Sequence, residues 1–256
     1  MTSVVCELIN NHCINQEYFI LQFKWEYTAP KAGQFFMMKP LRSNVFLQRP
    51  ISVYEFNEQE KNLKFLISKR GKGTIELSQL PAGEKLQLTG PIGNSWSEFL
   101  PEGGKSAALV SGSVGIAPMS CLISEKPDYD FHLFAGFRKG FCNKDEENAV
   151  LGKGINAKKV IIACEDGVNG LSGRVTDFLF EIEKHEIVFG CGPIPMLREL
   201  KKKLETKETA CFISLESRFA CGVGACLGCS IKTVKGNRCC CKHGPIFPAK
   251  DILFDE

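Results

Sequence analysis

Cys221, Cys226 and Cys229 stand at C-x4-C-x2-C spacing in the segment Glu216-Ser217-Arg218-Phe219-Ala220-Cys221-Gly222-Val223-Gly224-Ala225-Cys226-Leu227-Gly228-Cys229. Small residues between the thiols let the backbone wrap closely and turn N–H groups toward sulfur, and the spacing is that of a [2Fe-2S] loop. Structural zinc sites more often pair cysteines as C-x2-C knuckles, so the pattern favours a cluster over zinc and over unrelated buried thiols. The fourth thiolate has three candidates in Cys239-Cys240-Cys241-Lys242-His243-Gly244-Pro245, and spacing does not choose among Cys239, Cys240 and Cys241.

The wider cysteine inventory supports metal binding. Six of the 13 cysteines fall between Cys221 and Cys241. The total is odd and nothing marks the chain as secreted, which argues against a disulfide framework. Cys6, Cys13, Cys121, Cys164 and Cys211 sit singly in apolar segments and read as packed thiols. No stretch approaches the roughly 18 apolar residues of a membrane span, and the N-terminus lacks the layout of a signal peptide; a cytoplasmic protein is expected. The net charge of +3, with cations scattered among acids, suggests neither a nucleic-acid groove nor a basic membrane face. Lys201-Lys202-Lys203 reads as a solvated helix face, and His12, His132, His185 and His243 form no ligand or triad spacing.

The 256 residues suffice for two ordinary domains or one large one. Residues 1–100 carry short alternating runs such as Tyr18 to Phe23, Leu63 to Ser68 and Lys85 to Leu88 between Gly, Pro and Asn turns, the pattern of a small antiparallel β-barrel. After a linker at Pro101-Glu102-Gly103-Gly104, residues 101–209 alternate buried strands (Ala107 to Ser111, Asp130 to Ala135, Val160 to Cys164, Ile187 to Gly190) with helical stretches, including Pro195 to Leu204. Such alternation implies a parallel α/β sheet. Residues 210–256 form the cysteine-rich tail.

Each further motif has a plain reading beside a functional one. Arg49-Pro50-Ile51-Ser52 opens a strand, and Gly71-Lys72-Gly73-Thr74 follows another. An Arg can pair with a pyrophosphate, a Ser hydroxyl can reach a flavin ring heteroatom, and Gly-x-Gly-Thr can offer N–H groups to phosphate; equally, the two can be a turn and a glycine hairpin. Leu109-Val110-Ser111-Gly112-Ser113-Val114-Gly115-Ile116-Ala117-Pro118 is a strand, a glycine-spaced turn and a helix start, which would attract a nucleotide phosphate. Its Gly112-x-x-Gly115 is short of the full dinucleotide fingerprint. Cys191-Gly192-Pro193 ends a strand at the edge where open α/β sheets bind ligands, placing a thiol beside a nicotinamide or a small residue at a strand end.

In this order the motifs resemble the ferredoxin-NADP reductase superfamily across nearly the whole chain, and within it the electron-transfer subunits of the NAD-linked dihydroorotate dehydrogenase. The resemblance rests on Arg49 to Ser52, Gly71 to Thr74, Gly90-Pro91-Ile92-Gly93-Asn94, Glu165-Asp166-Gly167, Gly173 to Asp177, Cys191-Gly192-Pro193, Cys221 to Cys229 and Cys241 to Phe247. It implies an FAD-binding barrel, an NAD-binding α/β domain and a [2Fe-2S] domain, working beside an FMN-containing catalytic subunit that oxidises dihydroorotate to orotate, in a heterotetramer of the pyrimidine pathway. Through the Gly244-Pro245 match it selects Cys241 as the fourth ligand. It implies FAD contacts from Arg49, Pro50, Ile51, Ser52, Leu66, Ile67, Ser68, Gly73 and Thr74, nucleotide contacts from Gly112, Gly115 and Asp166, and a catalytic position for Cys191. Ser111 and Ser113 stand where the family usually has glycines, and His243 where it often has Asp. Related subunits of sulfite reductases, sulfhydrogenases and transhydrogenases share the layout, and a zinc-stabilised binding module is the alternative of another class. Arg138 and Lys139 leave NADP open beside NAD.

Overall fold

The computed structural model describes residues 1–42, 46–104, 106–216 and 219–254, and of Leu179 the backbone alone. Ser217 and Arg218 of the cysteine motif lie outside the described residues. The N-terminal half is a curled antiparallel sheet of β1 (Thr2–Cys13), β2 (Tyr18–Lys24), β3 (Phe35–Pro40), β4 (Arg49–Ser52), β5 (Glu55–Asn57), β6 (Asn62–Ser68) and, after helix α1 (Lys72–Ser78), β7 (Lys85–Ile92). Its strand order is β4-β3-β7-β1-β2-β6-β5. Period-two alternation aims Phe19, Leu21, Phe23, Leu63 and Phe65 inward, all without exposure. Gly71 to Thr74 opens α1 and is not a hairpin.

The second half is a sheet of β8 (Ser106–Gly112), β9 (Asp130–Phe137), β10 (Lys159–Cys164), β11 (Leu171–Ser172), β12 (Ile187–Cys191), β13 (Ala210–Ser214) and β16 (Ile246–Pro248), with α2 (Ile116–Glu125), α3 (Lys144–Leu151), α4 (Leu179–Ile182) and α5 (Ile194–Leu204) in the connections. The order β11-β10-β9-β8-β12-β13-β16 places the reversal of strand order between β8 and β12. Ligands of open α/β sheets lie at such a switch point, outside the carboxyl ends of the strands. Every pair in the sheet is parallel except β13 with β16. β8 is a near-continuous buried run because both of its faces are covered.

The cysteine-rich segment, with β14 (Ser230–Ile231), β15 (Arg238–Cys239) and α6 (Cys240–His243), is an excursion between two neighbouring strands of this sheet. The boundary expected at residue 210 therefore falls at the start of β13, a strand of the α/β sheet, with Ser214 in register with Ile246. Composition changes there, but the partner of a strand is decided by packing. Cys121 and Cys164 are buried as expected, Cys6 and Cys211 are half-buried, and Cys13 is exposed, donating to the Asn15 carbonyl at 3.3 Å. No helix among the described residues is long and apolar enough to cross a membrane.

One apolar core runs from the barrel (Phe19, Phe36, Phe65) through Trp96 into one face of the α/β sheet (Leu109, Leu133, Phe189). A second joins the other face (Val110, Val188, Ile213) to Cys229, Cys240 and Cys241 and reaches Phe35, Met37 and Ile92 of the barrel.

Candidate functional site

The four thiols come as two pairs. Cys229 Sγ lies 3.4 Å from Cys241 Sγ, both buried. Cys226 is exposed and Cys221 half-buried, with the Cys226 N–H donating to Cys221 Sγ at 3.5 Å. Further N–H groups point at sulfur, from Val223 to Cys221 (3.4 Å), Gly224 to Cys241 (3.0 Å) and Gly228 to Cys226 (3.5 Å). The Cys226 N–H foremost, with the N–H groups of Val223 and Ala225 and the Cys226 thiol, lowers the Cys221 thiol to about 6 against desolvation by burial. Burial, with the Cys229 thiol beside it, pushes Cys241 up to about 12. A bound metal reverses such a rise because coordination favours the thiolate.

This donor set fits a two-iron cluster. Two thiols 3.4 Å apart can share one tetrahedral metal with metal–sulfur bonds of about 2.3 Å, and the inward N–H groups suit cluster sulfurs. A lone zinc ion needs its donors about one point, and among the described residues no three Cys, His, Asp or Glu side chains provide that. Of the three adjacent candidates, Cys241 is the one whose sulfur meets the Cys229 thiol and the Gly224 N–H. Cys239 Sγ lies instead 3.6 Å from Ser230 Oγ, and Cys240, with no exposure, has its thiol pushed up to about 12 by burial. His243 Nδ1 accepts the Cys239 N–H at 3.1 Å and so has a local structural task.

The cysteine loop rests on the barrel. A Cβ added to Gly222 would lie 2.9 Å from Met37 Cγ, and Phe219 packs on Phe35 with ring centroids 5.0 Å apart. β3 carries both barrel residues and pairs directly with β4, Met37 opposite Pro50 and Phe35 opposite Ser52. The cysteine loop is thus one strand away from the segment expected to hold a flavin.

On β4, Arg49 is brought against Gly73, where an added Cβ would lie 2.1 Å from Nε. The two motifs, separate in sequence, form one cradle suited to a pyrophosphate. Thr74 Oγ1 accepts the N–H groups of Arg70 (2.9 Å) and Gly71 (3.2 Å), so it shapes the turn into α1. Leu66 and Ile67 bury their side chains in the core. Among the described residues β5 pairs only with Asn62, Leu63 and Lys64 of β6, which leaves the outer backbone edge of Leu66, Ile67 and Ser68 without a strand partner there. Ser68 is buried and its hydroxyl has no hydrogen-bond partner among the described residues. A buried, unpaired hydroxyl beside a free strand edge fits a planar ring with polar atoms on its rim.

At the switch point, Gly112 ends β8, and a Cβ on Gly115 would lie 2.2 Å from the Cys191 carbonyl oxygen, so the turn packs directly on β12. Ser113 takes the left-handed conformation (φ +52°). Its hydroxyl faces the barrel, 2.9 Å from Tyr18 OH, accepting from Arg70 Nη2 at 3.2 Å and donating to Glu17 Oε1 at 3.5 Å. It does not crowd the turn. Register aligns Ser111, Cys191 and Ser214 across three strands. Cys191 is buried, and burial together with the Glu216 charge raises its thiol, against a Ser214 hydrogen bond; it is a neutral S–H. Ser111 is buried, its hydroxyl without a hydrogen-bond partner among the described residues. Asp166 accepts from the N–H groups of Gly140 (3.0 Å) and Val168 (3.1 Å), so its carboxylate clasps two loops at the same edge. Tyr18, Arg70 and Ser214 were not singled out by sequence. Arg70 directly precedes the glycine motif and offered a signal, whereas Ser214 joins Cys191 only through strand register.

A profile of the iron-sulfur cluster binding domain of dihydroorotate dehydrogenase B matches residues 216–253. The chain is 35% identical over 252 residues to the dihydroorotate dehydrogenase B (NAD(+)) electron transfer subunit of Caldanaerobacter subterraneus, covering 96% of this chain and 97% of that one. It is 32% identical over 250 residues to the subunit of the same name from Clostridium acetobutylicum, covering 98% and 97%. Among solved structures, the NADH-dependent reduced ferredoxin-NADP oxidoreductase superposes with TM-score 0.80 at 21% identity, covering 98% of this chain and 90% of that one. The cytochrome b5 reductase domain of Ulva prolifera nitrate reductase gives 0.64 at 18%, covering 82% and 96%. These two likenesses concern the fold.

Proposed function

The chain belongs to the family of dihydroorotate dehydrogenase B electron transfer subunits, and from that premise we propose which of its residues hold the cofactors that pass electrons between a catalytic partner and NAD. It is an oxidoreductase subunit whose cofactors are FAD and a [2Fe-2S] cluster and whose soluble electron acceptor is NAD+. When bound, the cluster passes electrons singly and FAD collects two for transfer as hydride, chemistry that belongs to the cofactors while the protein sets distance, potential and water exclusion.

In this reading Cys221, Cys226, Cys229 and Cys241 supply the thiolates, and the N–H groups of Val223, Gly224 and Gly228 remain turned toward sulfur. Arg49 and Gly73 receive the FAD pyrophosphate, while Ser52, Ser68 and the free edge of β6 meet the ring. Gly112, Gly115 and the start of α2 take the nucleotide phosphates, with Asp166 holding the loops that flank them. Cys191 offers a small, neutral, apolar contact to the nicotinamide and keeps its proton. The partner is an FMN-containing subunit that oxidises dihydroorotate, and the setting is the cytoplasm, which suits 13 cysteines without a disulfide.

The observation that carries the reading is the seating of the cysteine loop, through Phe219 and Gly222, on β3, the strand adjoining Arg49 to Ser52. Anaerobic purification tests it. Flavin bands with broad iron-sulfur absorption that bleach on adding NADH are expected, and dihydroorotate-driven NADH formation on adding the catalytic subunit. A colourless, zinc-containing protein would overturn it.

A further inference from the structure

Among the contacts that hold the cysteine segment on the barrel, two differ in kind. The N-terminal one, Gly222 on Met37 and Phe219 on Phe35, is van der Waals packing. The C-terminal one is a directed polar clamp built by Asn94, just past the end of β7. The Asn94 N–H donates to the Gly244 carbonyl at 2.8 Å. Its side-chain Nδ2 donates to the Ile246 carbonyl at 2.9 Å, and its Oδ1 accepts the Ile246 N–H at 3.1 Å. Both polar ends of the amide are therefore engaged with one residue of the other segment, a two-point grip that fixes orientation as well as distance.

The approach is as close as chain geometry permits. Gly93 has φ +90°, and a Cβ there would lie 2.5 Å from Pro245 Cδ and 2.8 Å from the Gly244 oxygen. Gln34 holds this turn from the barrel side, donating to the Gly93 carbonyl at 2.8 Å. On the other side the gripped residues follow Cys241 through one helical turn, in which the Gly244 N–H donates to the Cys240 carbonyl at 3.1 Å. A short, hydrogen-bonded path thus links a cluster ligand to the end of β7. β7 pairs with β3, and β3 pairs with β4, the flavin strand.

We propose that Asn94 is the positioning residue that sets the separation of the cluster from the flavin, and through it the rate at which electrons cross between them; the inference rests on the relay reading above. Asn94 touches neither cofactor in this assignment. Its amide keeps Cys241 and Cys229 at a fixed depth behind β3, where the packing of Phe219 and Gly222 on Phe35 and Met37 supplies no directional bond.

The test uses the full chain carrying FAD and cluster, with Asn94→Ala and Asn94→Asp compared with wild type by anaerobic stopped-flow mixing with NADH. Two rates are read, flavin bleaching and the later cluster bleaching, together with the cluster potential by redox titration. In Asn94→Ala we expect flavin reduction at the wild-type rate, an unchanged potential, and cluster reduction several-fold slower than in wild type. Asn94→Asp, which keeps the acceptor for Ile246 N–H and loses the donor, should fall between, and it decides the matter if the Ala variant fails to hold a cluster. Cluster reduction at the wild-type rate in these variants overturns the positioning role. Slowing that tracks a changed potential also overturns it, since the environment of the cluster rather than its placement would then be altered. A wild-type protein whose cluster never bleaches with NADH would instead overturn the relay reading itself.

Discussion

At the scale of single residues, neighbouring cysteines are chemically alike and differ only in what faces them. Cys241 meets Cys229 and the Gly224 N–H, whereas Cys239 and Cys240 turn into packing. Replacing Cys241 by Ser is therefore expected to abolish or strongly distort the iron-sulfur absorption. Cys239→Ser and Cys240→Ser should keep it, with a stability loss of about 1–3 kcal/mol for a buried hydroxyl lacking a good partner; visible spectra and thermal melts of the three variants check this. Gly73 gives a second case. A methyl group there would collide with Arg49 Nε, so Gly73→Ala should swing the guanidinium away from its pyrophosphate position. A charge-assisted contact is worth about 1.5–3 kcal/mol, so FAD affinity should weaken by roughly 10- to 100-fold, measurable by flavin fluorescence titration. The sequence flagged Arg49 and Gly73 as separate weak motifs. Their meeting is a tertiary fact.

At the scale of elements, α4 and β9 bring together two histidines that sequence read as unrelated. The His132 and His185 rings lie 4.5 Å apart, edge to face. Desolvation lowers both from 6.5, helped by Lys159 beside both and Lys158 beside His132, while Glu181 beside both and Asp130 beside His132 oppose the shift. The folded state thus binds fewer protons than the unfolded chain below the ordinary histidine value. Their contribution to stability is full above about pH 6.5 and is lost as pH falls through that value toward the folded pKa. The melting temperature should fall between pH 7 and pH 5, and His185→Gln should flatten the decline. Strands and helices were legible where periodicity was strong, as for β2, β6, β8 and α5. β13 was assigned to the tail because its residues sit beside the change in composition, and only its pairing with β12 and β16 shows where it belongs.

At the scale of the whole molecule, the three expected regions do not have three separate cores. The larger core runs from the barrel into the α/β sheet, and the second joins that sheet to the cysteine segment and to Phe35, Met37 and Ile92. Glu125 of α2 ties the units further, accepting the Ala32 N–H at 2.7 Å and the Ser97 hydroxyl. Cofactor-loaded protein should therefore unfold in one main calorimetric transition, not as independent domains; three resolved peaks would contradict the shared cores. The sequence by itself determined the chemistry available, namely a cluster loop, a barrel pattern and an α/β pattern, because cysteine spacing and hydrophobic period are local properties of the chain. Tertiary structure decided which thiols pair, Cys229 with Cys241 across 12 residues, and where the pairs sit, with Asn94 gripping Ile246 across 152. Chain spacing constrains only near neighbours, and contacts at such separations exist only once strand register and close packing have brought them together.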